Sequence, residues 1–389
     1  MKKIIYLHQY FKTNAGAGGT RSFEFATYLS QHGYDVTLIT GTGTSQRINN
    51  NLYVDSTQTR YSNTMGKIRR IFSFLSFVFK SFIKGLKCKD SEVVFATSTP
   101  LTIGIPAVLL AKIKRIPLVF EVRDVWPDVP IELGYIKNTF LIKLLKKFEM
   151  WIYKNSKYII VLSKGMEQNL LAKGIESSKI SVIENFSNLD LYNKASPKRN
   201  EYDKFLCIHP GTMGVVNGLD FILDVAKIIK ERDNEIKFLL VGEGNQKERL
   251  LNRVRDEKIT NVEIKSSLPK KEIVNVINDA SLGFMCVDNK YKILEDNSAN
   301  KFFDFLAAGL PIVINYEGWQ KEVIEKNKIG FSVLDKNKMV MKIIEIKENK
   351  ELRLQMEHNS RKLAEHQFSD YNAKTKLCKI LKKITEKRG

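Results

Sequence analysis

Short apolar runs alternate with amphipathic stretches twice along this chain, and that alternation restricts its fold more than any other feature. In the first half Ile4–Leu7, Val36–Ile39, Val93–Ala96, Leu118–Val122 and Tyr158–Leu162 read as strands, with Arg21–Gln31, Pro106–Ile113 and Lys164–Ala172 as helices between them. Strands separated by helices pair in parallel, because each crossover must return over a face of the sheet, and a doubly wound α/β domain follows. The pattern lapses over Asn188–Asp203, where Ser196, Pro197, Lys198, Arg199 and Asn200 mark a polar linker. It then restarts with strand-like Phe205–His209, Phe238–Val241, Val262–Lys265, Leu282–Met285 and Ile312–Asn315, and helix-like Leu219–Lys230, Lys247–Asp256 and Ile273–Asn278. With 389 residues, 43% of them hydrophobic, the chain can bury two cores. Two Rossmann-like domains with a cleft between them are expected, over 1–195 and 203–365.

Within the second half the stretch from Asp296 to Pro311, DNSANKFFDFLAAGLP, carries the strongest functional signal. Ser298 is the expected N-cap of a helix whose apolar stripe is Phe302, Phe303, Leu306 and Ala307, and Gly309 followed by Pro311 ends it before a strand. The open N–H groups and the macrodipole of such a helix form an anion site, and Lys301 in the first turn adds a full positive charge. Two acids eight residues apart, Asp296 and Asp304, bracket the turn. This pattern resembles the E-x7-E region of family 4 retaining glycosyltransferases, enzymes of the GT-B fold that use sugar nucleotides. The resemblance implies that Asp296 lies near the donor sugar, that the amides of Asn297 and Ser298 hold the diphosphate, and that Asp304 holds the ribose hydroxyls. Both acids are Asp where the family usually has Glu. The GT-B resemblance also implies that the last basic segment, 366–389, is a helix that returns to the N-terminal domain.

Other loops extend the resemblance. Asn14–Arg21, NAGAGGTR, is glycine-rich and leads into a helix, but it is neither a Walker loop nor a dinucleotide fingerprint. In the family the equivalent loop faces the cleft, which makes Gly18, Gly19 and Arg21 donor-side candidates. Glu121–Asp128, EVRDVWPD, ends a strand in charges. Many relatives read His-Asp here, whereas the branch acting on bacterial O-antigen and capsule sugars often reads Arg-Asp-x-Trp-Pro, as this chain does; Arg123 and Asp124 are the acceptor-side candidates, unless the two merely pair with each other. The His209–Gly214 turn and Asn217-Gly218 resemble the strand–loop–helix that meets the donor phosphates. Where many members carry Arg and Lys, this chain has Thr212, Gly214 and Asn217, so phosphate stabilisation falls on backbone amides, Lys301 and Arg21. Gly242 and Gly244 match the glycine turn near the nucleotide base.

The formal charge of +20 calls for an anionic partner or surface. Gly66–Lys89 holds seven cations and no acid around the apolar run IFSFLSFVF, too short and too broken by serine for a membrane span. An amphipathic helix lying in an anionic membrane surface is expected, with Arg69, Arg70, Phe74, Phe77 and Lys80 as contacts. Phe140–Lys157 has a similar composition and is read as a core helix with solvated basic edges. Zinc-finger spacing, an RNP-like strand and a compact helix-turn-helix are lacking in the sequence, which makes nucleic acid the weaker partner. No D-x-D triplet and no His/Asp cluster occurs, so neither a metal nor another cofactor is expected. Cys88, Cys207, Cys286 and Cys378 are scattered and expected reduced. The opening Met1-Lys2-Lys3 leads into a strand and not a secretory segment, which gives a cytoplasmic expectation, peripheral on the inner face of the cell membrane.

Taken with the resemblance, the expected activity is transfer, with retention, of a sugar from a UDP donor to an undecaprenyl-diphosphate-linked acceptor. Within the O-antigen branch an N-acetylated 6-deoxyhexosamine such as N-acetylfucosamine is the expected sugar. A nucleotide-sugar 2-epimerase of the same fold and a non-catalytic basic membrane adaptor are the alternatives.

Overall fold

The computed structural model describes residues 1–12, 20–59, 65–186, 188–192 and 205–386. They form two compact units, one taking the chain as far as Glu184 and again from Ala373, the other running from Asn185 to Asn372. The division falls about ten residues before the expected end of the first domain, at Ala195, and the chain rejoins the first unit within the basic segment 366–389.

The first unit is built from β1 (Lys2–His8), α1 (Arg21–Gln31), β2 (Tyr34–Thr40), β3 (Gln46–Asn49), β4 (Leu52–Ser56), α2 (Lys67–Lys87), β5 (Val93–Thr97), α3 (Gly104–Ile113), β6 (Leu118–Val122), α4 (Asp128–Glu132), α5 (Thr139–Asn155), β7 (Tyr158–Val161), α6 (Lys164–Ala172) and β8 (Ile180–Val182). Its sheet has the order β3-β4-β2-β1-β5-β6-β7-β8, parallel except for the β3-β4 hairpin. Ile4 through Leu7 are all buried, because helices cover both faces of a parallel sheet. One face packs Ile5, Leu7, Val94, Phe120 and Ile159 against α2, α3 and α5 through Phe77, Leu110, Ile152 and Tyr153.

The second unit contains β9 (Phe205–Pro210), α7 (Asp220–Lys230), β10 (Ile236–Val241), α8 (Lys247–Asp256), β11 (Val262–Lys265), α9 (Lys270–Asp279), β12 (Leu282–Met285), α10 (Asn300–Ala308), β13 (Ile312–Ile314), α11 (Trp319–Asn327), β14 (Gly330–Ser332), α12 (Lys336–Glu348) and α13 (Lys350–His366). Its six strands are all parallel, in the order β11-β10-β9-β12-β13-β14. The chain builds outward from β9 through β10 to β11, then crosses to β12 on the other side of β9. That reversal is the topological switch point, and doubly wound sheets bind ligands at the carboxyl ends of the strands there.

The last helix, α14 (Asp370–Glu386), begins in the second unit and from Ala373 belongs to the first. There Lys374 pairs with Glu24 at 2.8 Å, and Lys2 Nζ donates to Thr385 Oγ1 at 2.7 Å.

The helix expected to matter most, α10, is held by aromatic packing. Phe302 and Phe303 are buried against Trp319 and Phe368, with ring centroids 5.4 to 6.5 Å apart. Gly309 closes the helix in the left-handed conformation, at φ 68°. Beyond it Arg361 donates to the Ala307 carbonyl at 2.5 Å and Ser360 to the Leu310 carbonyl at 2.8 Å. The C-terminal end is therefore capped by protein, while Asn300 in the first turn is exposed. Phe303→Ala should remove roughly 3–5 kcal/mol from the stability of the second unit, read as an earlier unfolding transition in denaturant with the first unit's transition unmoved.

Candidate active site

The second unit brings its candidate residues to the β9/β12 switch point. His209 lies at the end of β9, Cys286 directly follows β12, and Lys301 occupies the first turn of α10. His209 Nδ1 lies 2.9 Å from the Phe284 carbonyl, and its Nε2 lies 2.9 Å from Lys301 Nζ. A carbonyl only accepts, so Nδ1 carries the proton and the bare Nε2 accepts from the ammonium. Burial, reinforced by the ammonium, holds His209 well below the ordinary histidine range, so the ring stays neutral. Burial pulls Lys301 down to about 8, while the Cys286 thiol is pushed up to about 12.

Lys301 Nζ sits against the turn after β9. Gly211 is at φ 143°, and a Cβ there would lie 2.9 Å from Nζ. That turn is pinned to the loop after β10 by Gly211 N–H to the Val241 carbonyl at 2.8 Å, Met213 N–H to Glu243 at 2.8 Å and Gln246 N–H to Met213 at 3.0 Å. The approach demands glycine at 242, where a Cβ would fall 1.8 Å from the Gly211 carbonyl oxygen. Gly242 and Gly244 therefore serve to seat the two loops against each other. Thr212 is exposed at the crest of the turn and Gly214 half-buried beside it. The Cys286 thiol donates to the Asn217 carbonyl at 2.9 Å, tying the end of β12 to the same loop.

Several expected residues do other work. Ser298 is not the N-cap: that position is Ala299, because the Asn297 side chain makes the local turn instead, accepting from Ala299 N–H at 3.3 Å and donating to the Leu294 carbonyl at 2.6 Å. The Asn297 amide, expected to bind an anion, already donates to Leu294 at 3.3 Å. The Ser298 hydroxyl is shut from solvent with no partner among the described residues, and its carbonyl accepts from Asn185 Nδ2 at 2.6 Å. Asp296 ends a short 3-10 turn and is half-buried. Asp304 is engaged by Lys270 through both carboxylate oxygens, at 2.8 and 3.0 Å.

In the first unit Arg21 is the clearest correction. It was expected at a donor phosphate, yet its guanidinium is buried, paired with Glu121 at 2.9 Å. It also donates to the Glu184 and Ile183 carbonyls at 2.6 and 2.8 Å and lies over the Phe25 ring. Thr97 Oγ1 completes the set by donating to Glu121 at 2.5 Å. A guanidinium satisfied in this way by protein groups is a structural element. Gly18 and Gly19 lie outside the described residues. Asp124 is exposed at the end of β6 and accepts from Thr99 Oγ1 at 3.0 Å, while the half-buried Arg123 donates its backbone N–H to Ser98 Oγ at 3.0 Å.

Helix α2 presents an apolar face to solvent. Ile68, Phe72, Leu75 and Phe79 recur at helical spacing and are 71%, 68%, 54% and 67% exposed. The opposite face is the packed one: Ser73, Phe77 and Ser81 are buried, and Gly85 lies so close to α3 that a Cβ would meet the Leu110 side chain. Phe77, expected at a membrane, is thus a core residue, and Phe74 is half-buried. Arg69 is exposed and Arg70 half-buried; Lys80 is exposed but donates to the Thr57 carbonyl at 3.2 Å. Helix α5 is split, with Ile152 and Tyr153 in the core and Phe140 and Leu144 exposed. Among the described residues no helix is long and apolar enough to cross a membrane.

Two α/β units of this kind have counterparts among known proteins. Residues 18–191 match the family Glycosyltransferase Family 4, and residues 193–363 match Glycosyl transferases group 1. A UDP-N-acetylglucosamine--N-acetylmuramyl-(pentapeptide) pyrophosphoryl-undecaprenol N-acetylglucosamine transferase from Thermoanaerobacter sp. (strain X514) is 21% identical over 286 residues, covering 72% of this chain and 71% of that protein. Among solved structures, a sucrose-phosphate synthase from Thermosynechococcus elongatus superposes with a TM-score of 0.79 at 13% identity, covering 98% of this chain and 99% of the other. Anabaena Alr3699/HepE in complex with UDP-glucose gives 0.71 at 13% identity, over 98% and 100%. The fold is GT-B, and the class is that of the glycosyltransferases. Within it the chain belongs with the proteins that join a family 4 N-terminal region to a group 1 C-terminal region.

Glu121→Ala would strand the Arg21 guanidinium in the interior without its carboxylate. A loss of roughly 3–5 kcal/mol in first-unit stability is expected, measured by denaturant unfolding, with UDP affinity of the folded protein unchanged.

Proposed function

We propose that this protein transfers an N-acetylated hexosamine, a 6-deoxy sugar in our reading, from UDP to a lipid-diphosphate-linked acceptor at an anionic membrane surface, with retention and without a metal. The observation that carries the reading is the Lys301 ammonium, lodged beside the Gly211 turn at the N-terminus of α10 with a neutral imidazole, not a carboxylate, as its hydrogen-bond partner among the described residues. A half-buried positive charge with no carboxylate beside it among the described residues favours an anionic ligand. Sugar transfer from UDP builds negative charge on the leaving phosphate, and fixed donors placed there lower the barrier. Lys301, with the backbone amides that open α10, supplies them in this reading.

A lipid-linked acceptor is supported by the Thermoanaerobacter relative, whose name specifies a pyrophosphoryl-undecaprenol substrate, and by the apolar outer face of α2. A surface helix ordinarily turns its apolar stripe inward, whereas α2 is apolar on the side facing water and basic at its start, the composition of an interfacial helix. Asp124 is the proposed acceptor-side group and Asp296 the proposed neighbour of the donor sugar.

Incubation with UDP-N-acetylhexosamines and a polyprenyl-diphosphate-linked acceptor should release UDP only when the acceptor is present, at an undiminished rate in EDTA. NMR of the product should show the donor's anomeric configuration; an inverted anomer would remove the retaining assignment. Lys301→Met should lower kcat/KM by roughly 10²–10³-fold, the scale of one lost oxyanion donor.

Phe72→Ser with Phe79→Ser should weaken binding to vesicles containing anionic lipid by at least roughly tenfold, given about 1.5–3 kcal/mol for each buried large apolar side chain. Flotation measures this, and equal binding by the double variant would mean that the α2 face is not the membrane contact.

A further inference from the structure

We propose that His209 is a positioning residue for the donor diphosphate: its unprotonated Nε2 holds the Lys301 ammonium over the Gly211 turn and keeps it charged in a half-buried site. This rests on the reading of Lys301 as the diphosphate's cation.

A lysine side chain has four rotatable carbons and, without an anchor, spreads its charge over many positions. Here two hydrogen bonds remove that freedom. The Phe284 carbonyl accepts from His209 Nδ1 and so fixes both ring orientation and tautomer. The remaining nitrogen then accepts one ammonium proton at 2.9 Å, which leaves two donors of Nζ for a ligand. Gly211 lacks the Cβ that would otherwise stand 2.9 Å from Nζ, so the approach to those donors stays open. A carboxylate in place of His209 would neutralise the ammonium and compete with phosphate; a neutral acceptor orients it without cancelling its charge.

The choice of histidine also sets an upper pH limit. A hydrogen bond to the ammonium favours its charged form, and burial opposes it. The titratable groups facing Lys301 are His209 from β9 and Cys286 from the end of β12; both remain neutral through the physiological range. Asp220, at the start of α7, acts on Cys286 and is itself held by Arg249 and Arg253. Lys301 is therefore the group whose charge disappears from this site as pH rises through about 8.

Calorimetric titration of the full chain with UDP between about pH 7 and 9.5, where the terminal phosphate with its pKa near 6 is already ionised, tests the idea. Wild-type affinity should fall roughly ten- to hundredfold across that range, as expected for one charge-assisted hydrogen bond. His209→Phe should move the midpoint about one unit lower and weaken binding at pH 7, because the acceptor is gone; His209→Gln, which can still accept, should restore most of both. Lys301→Met should bind weakly at every pH. Nitrogen-15 NMR of the wild-type protein gives a readout independent of any variant: His209 should stay in the Nδ1–H tautomer well below the ordinary histidine midpoint near 6.5.

A wild-type affinity that does not change with pH, a His209→Phe midpoint equal to wild type, or a His209 ring that charges near 6.5 would each overturn the proposal. If Lys301→Met weakens UDP binding and His209→Phe does not, the donor reading stands and only this inference falls. If the wild-type protein does not bind UDP, both fall.

Discussion

Burial of the aromatic face of α10 is the constraint on which the proposed site depends. Phe302 and Phe303 are wedged against Trp319 and Phe368, and the far end of the helix is capped by Gly309 and Arg361. These contacts fix the axis and rotation of a nine-residue helix too short to form alone. With the axis fixed, its N-terminus and Lys301 come to rest where β9 and β12 part. The catalytic proposal is thus a consequence of packing several residues away from any substrate.

Charge is handled differently in the two units. Arg21 is desolvated but supplied with a carboxylate and two carbonyls of its own, so it is a closed ion pair that holds strands and loop together. Lys301 is half-buried, with a neutral histidine as its hydrogen-bond partner. The first arrangement spends its charge within the protein, while the second keeps a positive potential available to a ligand. The difference rests on the neighbours that the fold delivers, a glutamate on β6 in one case and an imidazole on β9 in the other, and not on the type of cation.

Helix α2 shows a related division of labour. Its inward face is narrow, with serines and a glycine allowing close approach to α3 and Phe77 supplying the bulk. Its large apolar residues instead line the outer face. Aqueous stability alone gives no reason for that orientation, which is why the surface points to a lipid phase in the functional reading.

The alternation of apolar and amphipathic segments was enough, without a structure, to place most of the strands and helices that build the two sheets, since period and length are local properties. The same holds for α10 and its Gly309 stop. Strands β3, β4, β8 and β14 were not legible, because each is short and acquires its identity from the neighbour it pairs with.

Side-chain roles divide along the same line. Spacing singled out Lys301, but not that His209 would meet it, since 92 residues separate the two. Nor could spacing reveal that Arg21 would be consumed by Glu121, or which of Phe77 and Phe79, on opposite faces of α2, would meet the core. What the sequence determined by itself was the kind of sheet and the place of the short helix α10, because backbone geometry and hydrophobic period act over a few residues. Only the tertiary structure decided which charges are neutralised and which remain available, because that depends on groups brought together from distant strands.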